Sequence, residues 1–503
     1  MRASCTLSLI LDLFDAPRHP SWSVEIVNAK DDNNSLRPDQ QRVEGTGGKD
    51  GQQAGQTTAE PFRPFHEKTI VFSGIQPTGV PHLGNYLGAL RQWKLLHDNS
   101  AHPSLKGKKK PMQYFSVVDL HALTSEAPGP DRLRLRKESY AALLAIGLKN
   151  TRQTTLFFQS DVRYHTELMW ILSTIASTGY LSRMTQWKSK LNLPDDANLD
   201  SDEATAKLKL GLFSYPVLQA ADILLYEASL VPVGEDQLQH IEFARTLARG
   251  FNSHVKNSPD GSNVFRIPSA ALSPAKRIMS LKRPTQKMSK SDSDPKSRIL
   301  ITDSYEDIHA KIRAAVTDSE PGISYDLEKR PGVSNLIEIL RHVTTIAETP
   351  DTIAKDLQYM TMRGLKEMVA DNIAECLSGI RENFLELMEP GNRTFYDEVS
   401  IGAGKAEQKA RVTMRRVRES LGLNTFGTRL DTPKIDEVED VGADGDANVN
   451  ANDFNVGPIH PESDTDGPQT TEKAILEALQ GIGQSYGGSY RVSAGGKDPS
   501  RKS

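Results

Sequence analysis

The sequence predicts an α/β protein in which a parallel β-sheet domain is followed by an all-helical domain. Between Lys68 and about Leu300, short runs of β-favouring residues alternate with longer helical patterns, as in a sheet whose strands are joined by crossover helices. From Ile301 to Leu423 the pattern changes to long amphipathic helices, among them 334–346, 365–388 and 406–421, which indicates a second, helical domain. These two observations set the fold class and the approximate domain boundary.

Composition favours a soluble protein in a reducing compartment. The 503 residues suffice for two or three domains, and 37% hydrophobic with 25% charged residues is typical of a soluble chain. The two cysteines, Cys5 and Cys376, cannot build a disulfide framework or a zinc site. No membrane partner and no resident metal are therefore expected.

Net charge is unevenly distributed along the chain. The formal charge is −4, but the segment 426–467 holds eleven acidic and two basic residues. That segment carries −9, so the rest of the chain carries about +5. A mildly basic folded part is compatible with a nucleic-acid partner, and the acidity belongs to a tail.

The N-terminal segment 1–66 differs in composition from the rest of the chain. Near its start, arginines and hydroxyl groups surround four apolar residues at helical spacing: Leu7, Ile10, Leu11 and Phe14. This is a mitochondrial presequence pattern, which Asp12 and Asp15 weaken, and residues 31–60 are polar enough to predict disorder. We expect a presequence and a disordered linker over 1–66, with the protein in the mitochondrial matrix or, without import, in the cytoplasm.

The stretch 69–86 combines a strand, a turn rich in glycine and proline, and the start of a helix. Residues 69–72 are apolar, residues 73–81 hold the turn, and apolar residues recur at helical spacing from Leu83. Free backbone N–H groups at such a helix start are suited to bind phosphate. His82 and Asn85 add polar side chains one helical turn apart, and Gly84 lets a ligand approach the backbone.

Further strands are predicted at 112–119 and 155–159, with helices at 83–99 and 130–146. Ligands of parallel sheets bind at the carboxyl ends of the strands. Three polar sites are expected at those ends: Ser73, the segment Asp119–His121 and Gln159.

An acidic residue interrupts the apolar helix predicted for 208–226, which is entered near Pro216. Asp222 has alanine, isoleucine and leucine as sequence neighbours, so it must be paired or face a cavity, because an unpaired buried carboxylate is costly. A salt-bridged core acid and a ligand contact both satisfy this requirement. Residues 230–237 then repeat the order of strand, glycine turn and helix start.

A basic loop lies at 287–291. Lys287 and Lys290 bracket two small or flexible residues, and Ser289 and Ser291 add hydroxyl groups. Taken alone, such a loop is usually a solvated basic segment.

Together, the two stretches resemble the signature motifs of class I aminoacyl-tRNA synthetases. The sequence HLGN at 82–85 stands in place of HIGH, and KMSKS at 287–291 is intact. SGIQPTG at 73–79 and AADILLY at 220–226 are similar to tryptophanyl-tRNA synthetases of the bacterial and organellar type. The resemblance runs from about residue 68 to 423, and it favours a ligand contact for Asp222.

The resemblance implies a Rossmann-like catalytic domain over 67–300, a helical anticodon-binding domain over 301–430 and an acidic, disordered tail over 431–503. The implied reaction is ATP-dependent activation of tryptophan to tryptophanyl-adenylate, then transfer to tRNA(Trp) for mitochondrial protein synthesis. The implied partners are tryptophan, ATP, tRNA(Trp) and a second copy of the chain in a homodimer. ATP would arrive with Mg²⁺ as co-substrate, and no bound organic cofactor is expected.

The resemblance also implies roles for individual residues. The catalytic ones are His82, Asn85, Lys287 and Lys290. Those that bind ATP are Gln76, Thr78, Gly84, Asn85, Lys190, Gly234, Asp236, Ile278, Lys287, Met288, Ser289 and Lys290. Those that bind tryptophan are Phe72, His121, Tyr215, Asp222, Val231, Val233 and Gln237. Asp222 would read the indole N–H, and Gln219 stands where many bacterial members have methionine.

Three alternatives stay open at this level. A tyrosine-specific synthetase shares the fold and the chemistry, but the intact KMSKS motif and its Ser280-Leu281 lead-in argue against it. A synthetase-derived RNA-binding or splicing protein is compatible as a second activity, although His82, Lys287 and Lys290 argue against lost catalysis. A nucleotidyltransferase of the same superfold would not explain the basic helical domain.

Overall fold

The computed structural model describes residues 69–99, 111–125, 128–194, 202–255, 263–272, 278–344 and 348–423, with 197, 199 and the strand at 25–27. The strands are β1 (Glu25–Val27), β2 (Ile70–Ile75), β3 (Met112–Val117), β4 (Thr154–Phe158), β5 (Leu230–Val233) and β6 (Ser269–Leu272). Most of the predicted presequence and linker, and all of the predicted tail at 431–503, lie outside these residues.

The strands form one sheet in the order β1-β6-β5-β2-β3-β4. All neighbours pair in parallel except β1, which runs antiparallel to β6. The β2 strand, first of the parallel set in the chain, lies between β3 and β5, so the strand order reverses between β2 and β5. This doubly wound arrangement confirms the predicted α/β class and creates a crevice at that point.

Helices cover the sheet and continue beyond it. Those of the sheet region are α1 (Leu83–Asn85), α2 (Arg91–Asn99), α3 (Gly129–Ala145), α4 (Tyr164–Ser173), α5 (Thr178–Ser182), α6 (Thr185–Lys190), α7 (Asp202–Lys207), α8 (Leu210–Leu225) and α9 (Leu238–His254). Those C-terminal to the sheet region are α10 (Tyr305–Arg313), α11 (Pro331–Thr344), α12 (Pro350–Asp356), α13 (Met362–Cys376), α14 (Ile380–Met388) and α15 (Arg393–Ser420). No helix of the described residues is long and apolar enough to cross a membrane.

The helix predicted for 83–99 contains a widened turn. Residues Tyr86–Leu90 are π-helical and join α1 to α2. The apolar spacing still buries one face, since Leu83, Leu90 and Trp93 are at most 1% exposed. Single π-helical turns often accompany functional sites.

Three helix boundaries differ from the predictions. Pro216 lies inside α8 and does not mark its entry. The helix predicted for 365–388 is two helices, because Gly379 adopts a left-handed conformation with φ of 77°. The helix predicted from residue 406 begins at Arg393, where the Asn392 side chain caps it by accepting from the Phe395 N–H at 2.9 Å.

Three basic residues of α15 bind acidic residues of the sheet region. Arg416 Nη1 donates to Glu227 at 2.6 Å, Lys409 pairs with the same carboxylate, and Arg418 binds Glu167 through two hydrogen bonds of 2.6 and 2.7 Å. Gly402 lets the helix meet β4, since a Cβ there would lie 1.8 Å from the carbonyl oxygen of Leu156. These three residues and Gly402 therefore dock the helix onto the sheet region.

Candidate active site

A cavity of about 1320 Å³ opens at the carboxyl ends of β2 and β5, where the strand order reverses. It brings together most of the predicted site residues: Phe72, Gln76, Thr78, His82, Gly84, Asn85, His121, Lys190, Tyr215, Asp222, Val231, Val233, Gly234, Asp236, Gln237, Ile278 and Lys287. Met288, Ser289 and Lys290 do not belong to its wall.

The polar pair at the start of α1 is fixed by reciprocal hydrogen bonds. The Asn85 N–H donates to His82 Nδ1, and the His82 N–H donates to Asn85 Oδ1, each at 3.2 Å. This capping box uses two free N–H groups of the helix start. Burial, reinforced by Lys290, Lys287 and Arg298, lowers the pKa of His82 to about 4, so the ring is neutral at pH 7. Since Nδ1 accepts, the ring proton lies on Nε2, where it can be donated to an anion.

Gly84 is needed for packing as well as for access. A Cβ at this position would lie 3.0 Å from His82 Cε1 and 3.6 Å from the Cβ of Ile278. The His82 ring therefore lies close over Gly84, and any larger side chain would displace it.

Lys290 reaches back to the turn that follows β2. Its Nζ donates to Thr78 Oγ1 at 2.9 Å, to the Gly79 carbonyl at 2.9 Å and to the Thr78 carbonyl at 3.3 Å. Burial, with Glu138 opposing it and Arg298 adding to it, lowers the pKa of Lys290 to about 8. The KMSKS motif is thus joined to the glycine- and proline-rich turn that precedes HLGN.

The rest of the basic loop divides between core and rim. Met288 is 2% exposed and packs in the hydrophobic core, while Lys287 is exposed at the cavity. Ser289 Oγ lies 2.8 Å from Ser291 Oγ, which closes the loop on itself. Asn335 of α11 fixes the segment that leads into the loop, because its side chain pairs with both the N–H and the carbonyl of Met279.

Asp222 is buried, paired and part of the cavity wall. It is 1% exposed, and three donors reach its carboxylate: His165 Nδ1 at 2.6 Å and Gln159 Nε2 at 2.8 Å on Oδ1, and His121 Nε2 at 2.9 Å on Oδ2. Burial alone would raise the pKa of Asp222, but the hydrogen bonds of the two histidines outweigh it and the pKa is lowered. The carboxylate is therefore ionised. A carboxylate has about four acceptor positions, which leaves one on Oδ2.

The same cavity contains an apolar slot between the turn that follows β2 and Asp222. Phe72 and Val231 are each 3% exposed, and both line the cavity together with Val233. The Phe72 ring stacks on Tyr226, with centroids 5.6 Å apart and planes 9° apart, so this wall is supported from the core. Aromatic and β-branched walls of this kind suit an aromatic ligand.

Polar residues close the other side of the slot. Tyr215 Oη donates to Gln186 Oε1 at 2.6 Å and lies 3.1 Å from His240 Nε2. Gln237 Oε1 accepts from His240 Nδ1 at 2.9 Å and from Gln219 Nε2 at 3.2 Å. Gln219 thus faces the pocket and orients Gln237.

The predicted nucleotide residues surround the end of β5. Asp236 accepts from Gln237 Nε2 at 2.9 Å, and a Cβ on Gly234 would lie 2.8 Å from Asp236 Oδ1. Lys190 Nζ lies 4.8 Å from the ring centroid of Tyr215, and burial lowers the pKa of this lysine. Carboxylate, amide and ammonium groups are therefore available to a polar ligand beside the slot.

Sequence reasoning missed several residues that shape the site. Gln186 and Glu235 line the cavity. His165 and Gln159 do not line it, but both donate hydrogen bonds to Asp222. Gln159 is predicted at a strand end, but its link to Asp222 depends on packing between β4 and α8. The signal for His165 is weak, because a single histidine in an apolar helix is usually a core residue.

The family model for class I tRNA synthetases (W and Y) matches residues 64–378. With the doubly wound sheet, the cavity at its switch point and the two motifs, this match settles the class. The chain belongs to the family of class I tRNA synthetases for tryptophan and tyrosine.

Individual relatives narrow the assignment. The mitochondrial tryptophan--tRNA ligase of Schizosaccharomyces pombe is 43% identical over 361 residues, which cover 71% of this chain and 96% of that protein. The mitochondrial tryptophan--tRNA ligase of Saccharomyces cerevisiae is 41% identical over 366 residues, covering 71% of this chain and 92% of that protein. Within the family, the chain falls among the tryptophan--tRNA ligases.

Solved structures agree in fold. The tryptophanyl-tRNA synthetase of Mycoplasma pneumoniae matches with a TM-score of 0.57 and 28% identity, covering 71% of this chain and 98% of that one. The tryptophanyl-tRNA synthetase of Campylobacter jejuni, complexed with ADP and tryptophan, matches with a TM-score of 0.54 and 28% identity, covering 70% of this chain and all of that one.

Proposed function

We propose that the protein activates tryptophan with ATP and transfers the tryptophanyl group to tRNA(Trp). The observation that carries this proposal is the continuity of the cavity, which joins a phosphate-binding turn to an apolar slot that ends at the ionised Asp222. A nucleotide and an indole can lie in one such cavity with their reacting groups adjacent. The identity of 41–43% with mitochondrial tryptophan--tRNA ligases supports the same substrate.

In the first step, a carboxylate oxygen of tryptophan attacks the α-phosphorus of ATP. The bond between that phosphorus and the bridging oxygen breaks, and pyrophosphate leaves with the electron pair. No protein nucleophile is required, so the protein contributes positioning and charge stabilisation. In the second step, a ribose hydroxyl at the tRNA 3′ end attacks the activated carbonyl carbon, and AMP leaves.

Four residues stabilise the first transition state. The Nε2–H of His82 donates to a phosphate oxygen, and the start of α1 with Asn85 orients the same group. Lys287 and Lys290 neutralise the charge that develops on the pyrophosphate. Lys290 is supported in this role by its contacts with Thr78, which place its ammonium group at the turn that follows β2.

The remaining parts of ATP would contact residues around this centre. Gln76 and Thr78 would contact the phosphates, Gly84 and Ile278 the adenine, and Gly234 and Asp236 the ribose; all six line the cavity. We place Lys190 as a further cation for the phosphates. Within the described residues no cluster of three or more His, Cys, Asp or Glu side chains is arranged to hold a metal, so Mg²⁺ would enter bound to ATP.

Tryptophan would lie along one face of α8. Tyr215 and Asp222 are seven residues apart, about two helical turns, and both line the cavity. Asp222 Oδ2 would accept from the indole N–H, and Tyr215 with Gln237 would bind the α-ammonium group. Phe72, Val231 and Val233 would enclose the ring, with His121 at its edge.

Three broader features complete the proposal. The helices between 301 and 430 would contact the anticodon end of the tRNA. A second copy of the chain would cover Trp170 of α4, which is 73% exposed, and its neighbour Ile175. The mitochondrial relatives and the presequence pattern support the mitochondrial matrix as the location.

ATP–pyrophosphate exchange with each of the twenty amino acids tests the function. We expect exchange with tryptophan and at least roughly 10²-fold less with tyrosine and phenylalanine, because a buried acceptor rejects ligands that leave it unpaired. Charging of tRNA(Trp) by the same preparation tests the second step. Exchange driven by tyrosine, or by no amino acid at all, would contradict the proposal.

A further inference from the structure

We propose that His165 and Tyr226, which lie behind the pocket wall, are positioning residues that hold Asp222 ready for the indole N–H and so set the preference for tryptophan. This inference rests on the proposed function, because it concerns the same pocket. It adds two buried residues that do not line the cavity.

The three side chains form a continuous chain of hydrogen bonds. Tyr226 Oη lies 3.0 Å from His165 Nε2, and His165 Nδ1 lies 2.6 Å from Asp222 Oδ1. Tyr226 and His165 are 0% exposed and Asp222 is 1% exposed. Asp222 belongs to the cavity wall, whereas the other two do not.

The direction of each hydrogen bond follows from the chemistry of the groups. An ionised carboxylate can only accept, so His165 Nδ1 carries the proton that it shares with Asp222. With Nδ1 as the donor, Nε2 accepts from the hydroxyl of Tyr226. Burial raises the pKa of Tyr226 well above its usual value, so this hydroxyl keeps its proton.

This arrangement fills both acceptor positions of Oδ1 and leaves one position on Oδ2 for the ligand. Oδ1 takes the hydrogen bonds of His165 and Gln159, and Oδ2 takes that of His121, which itself lines the cavity. The open acceptor position of Asp222 is therefore on Oδ2, the oxygen that also accepts from the cavity residue His121. Rotation of the carboxylate would break the two buried hydrogen bonds to Oδ1. His165 and Gln159 therefore keep Oδ2 available to the ligand.

Aromatic packing holds the far end of the chain in place. The Tyr226 ring stacks on Phe72 with centroids 5.6 Å apart and on Tyr114 with centroids 4.7 Å apart. Phe72 is a wall of the slot, so the ring that fixes His165 also supports the surface against which an indole would lie. A change at Tyr226 Oη therefore reaches Asp222 without removing any atom from the pocket.

The test compares tryptophan with 3-(benzothiophen-3-yl)alanine, in which sulfur replaces the indole N–H. The ratio of the two kcat/KM values in ATP–pyrophosphate exchange measures the N–H contact alone. We expect His165→Leu to reduce this ratio roughly tenfold, equivalent to one lost hydrogen bond, and Tyr226→Phe to reduce it roughly threefold. His165→Asn should keep most of the ratio, because its amide nitrogen can occupy the place of Nδ1.

Tyr140→Phe is the matched control. Tyr140 is also 0% exposed, and its hydroxyl donates to backbone carbonyls of Leu156 and Glu398 away from the cavity. It should lower stability and leave the ratio unchanged.

A wild-type ratio in both Tyr226→Phe and His165→Leu would overturn the inference while leaving the proposed function intact. That outcome includes the case in which activity falls equally on both amino acids. If His165→Leu does not fold, the ratio in Tyr226→Phe decides. A wild-type protein that does not use tryptophan would instead contradict the proposed function.

Discussion

Lys290 donates a hydrogen bond to Thr78 across 212 residues of sequence, and this contact joins the KMSKS motif to the turn that precedes the HLGN motif. The lysine also binds the Gly79 carbonyl at 2.9 Å, so this turn fixes the position of its ammonium group. Burial lowers the pKa of Lys290 to about 8, so the side chain is still charged at pH 7. The side chain and its charge can therefore be tested separately.

Replacement of Lys290 by alanine should slow ATP–pyrophosphate exchange by roughly 10²-fold or more, the scale of a lost charge stabiliser. Tryptophan affinity, measured by calorimetry, should change little, because the effect belongs to the transition state. Lys296→Ala is the control, since Lys296 is exposed and lies beyond the loop. A rate within a few-fold of wild type would remove Lys290 from the catalytic group.

The charge of Lys290 predicts a fall in activity at alkaline pH. Its pKa is lowered to about 8, so the charged form is lost as the pH rises through that value. The kcat/KM for ATP reports the free enzyme and should therefore decline above pH 8. Lys290→Arg should keep its activity to higher pH, because arginine stays protonated. An unchanged alkaline limb in this variant would assign the decline to another group.

Replacement of Asp222 by alanine should have two separable effects. It leaves His121 and His165 without their shared acceptor, and a buried donor left unpaired costs roughly 1–3 kcal/mol of stability. It should also raise the KM for tryptophan and narrow the margin over phenylalanine, with the KM for ATP nearly unchanged. Thermal unfolding and steady-state kinetics measure the two effects on one preparation.

Asp119→Ala is the matched control for Asp222. Asp119 is 4% exposed, lies just after the end of β3 and pairs with Arg136 at 2.7 Å, but it does not line the cavity. Its loss should lower the melting temperature and leave the KM for tryptophan unchanged. Equal kinetic effects of the two variants would show that Asp222 acts through stability alone.

Gln219→Met should weaken tryptophan binding through Gln237. The Gln219 amide donates to Gln237 Oε1 at 3.2 Å, and Gln237 is proposed to bind the α-ammonium group. We expect a loss of roughly fivefold for tryptophan and none for indole-3-propionate, which lacks that group. Equal losses for both ligands, measured by calorimetry, would place Gln219 against the ring instead.

Two glycines of α15 should respond to alanine with opposite signs. A Cβ at Gly402 would lie 1.8 Å from the Leu156 carbonyl oxygen, whereas at Gly404 it would meet nothing within 4 Å. Gly402→Ala should cost roughly 1–3 kcal/mol or more through overpacking. Gly404→Ala should add up to roughly 1 kcal/mol through helix propensity. Thermal unfolding decides, and two equal shifts would mean that α15 is not docked on β4.

The sequence is sufficient for elements whose pattern is local. Runs of β-favouring residues and turn residues locate β2, β3 and β4 to within two or three residues, and the glycine-rich turn before His82 and Asn85 locates the end of β2. The motifs do not reveal that His82 and Asn85 cap each other, because both side chains are expected to face an anion.

Contacts between distant segments decide the features that the sequence does not reveal. The sequence leaves two alternatives for Asp222, a paired core acid and a ligand contact. In the structure Asp222 is hydrogen-bonded and also lines the cavity. The basic residues of α15 suggest an RNA surface, but Lys409, Arg416 and Arg418 bind acids of the sheet domain. The left-handed Gly379 divides one amphipathic pattern into two helices, which periodicity alone does not detect.

The docking of α15 has a consequence for the order in which the chain folds. Asn150, which precedes β4, donates from its side-chain amide to Glu398 Oε2 at 2.8 Å, across 248 residues. The β4 edge of the sheet is therefore covered only after residues 393–420 have left the ribosome or, for an imported chain, the translocation channel. Until then β4 is an uncovered edge, and uncovered edges favour aggregation and slow folding. A chaperone that holds the nascent or newly imported chain would act during this interval.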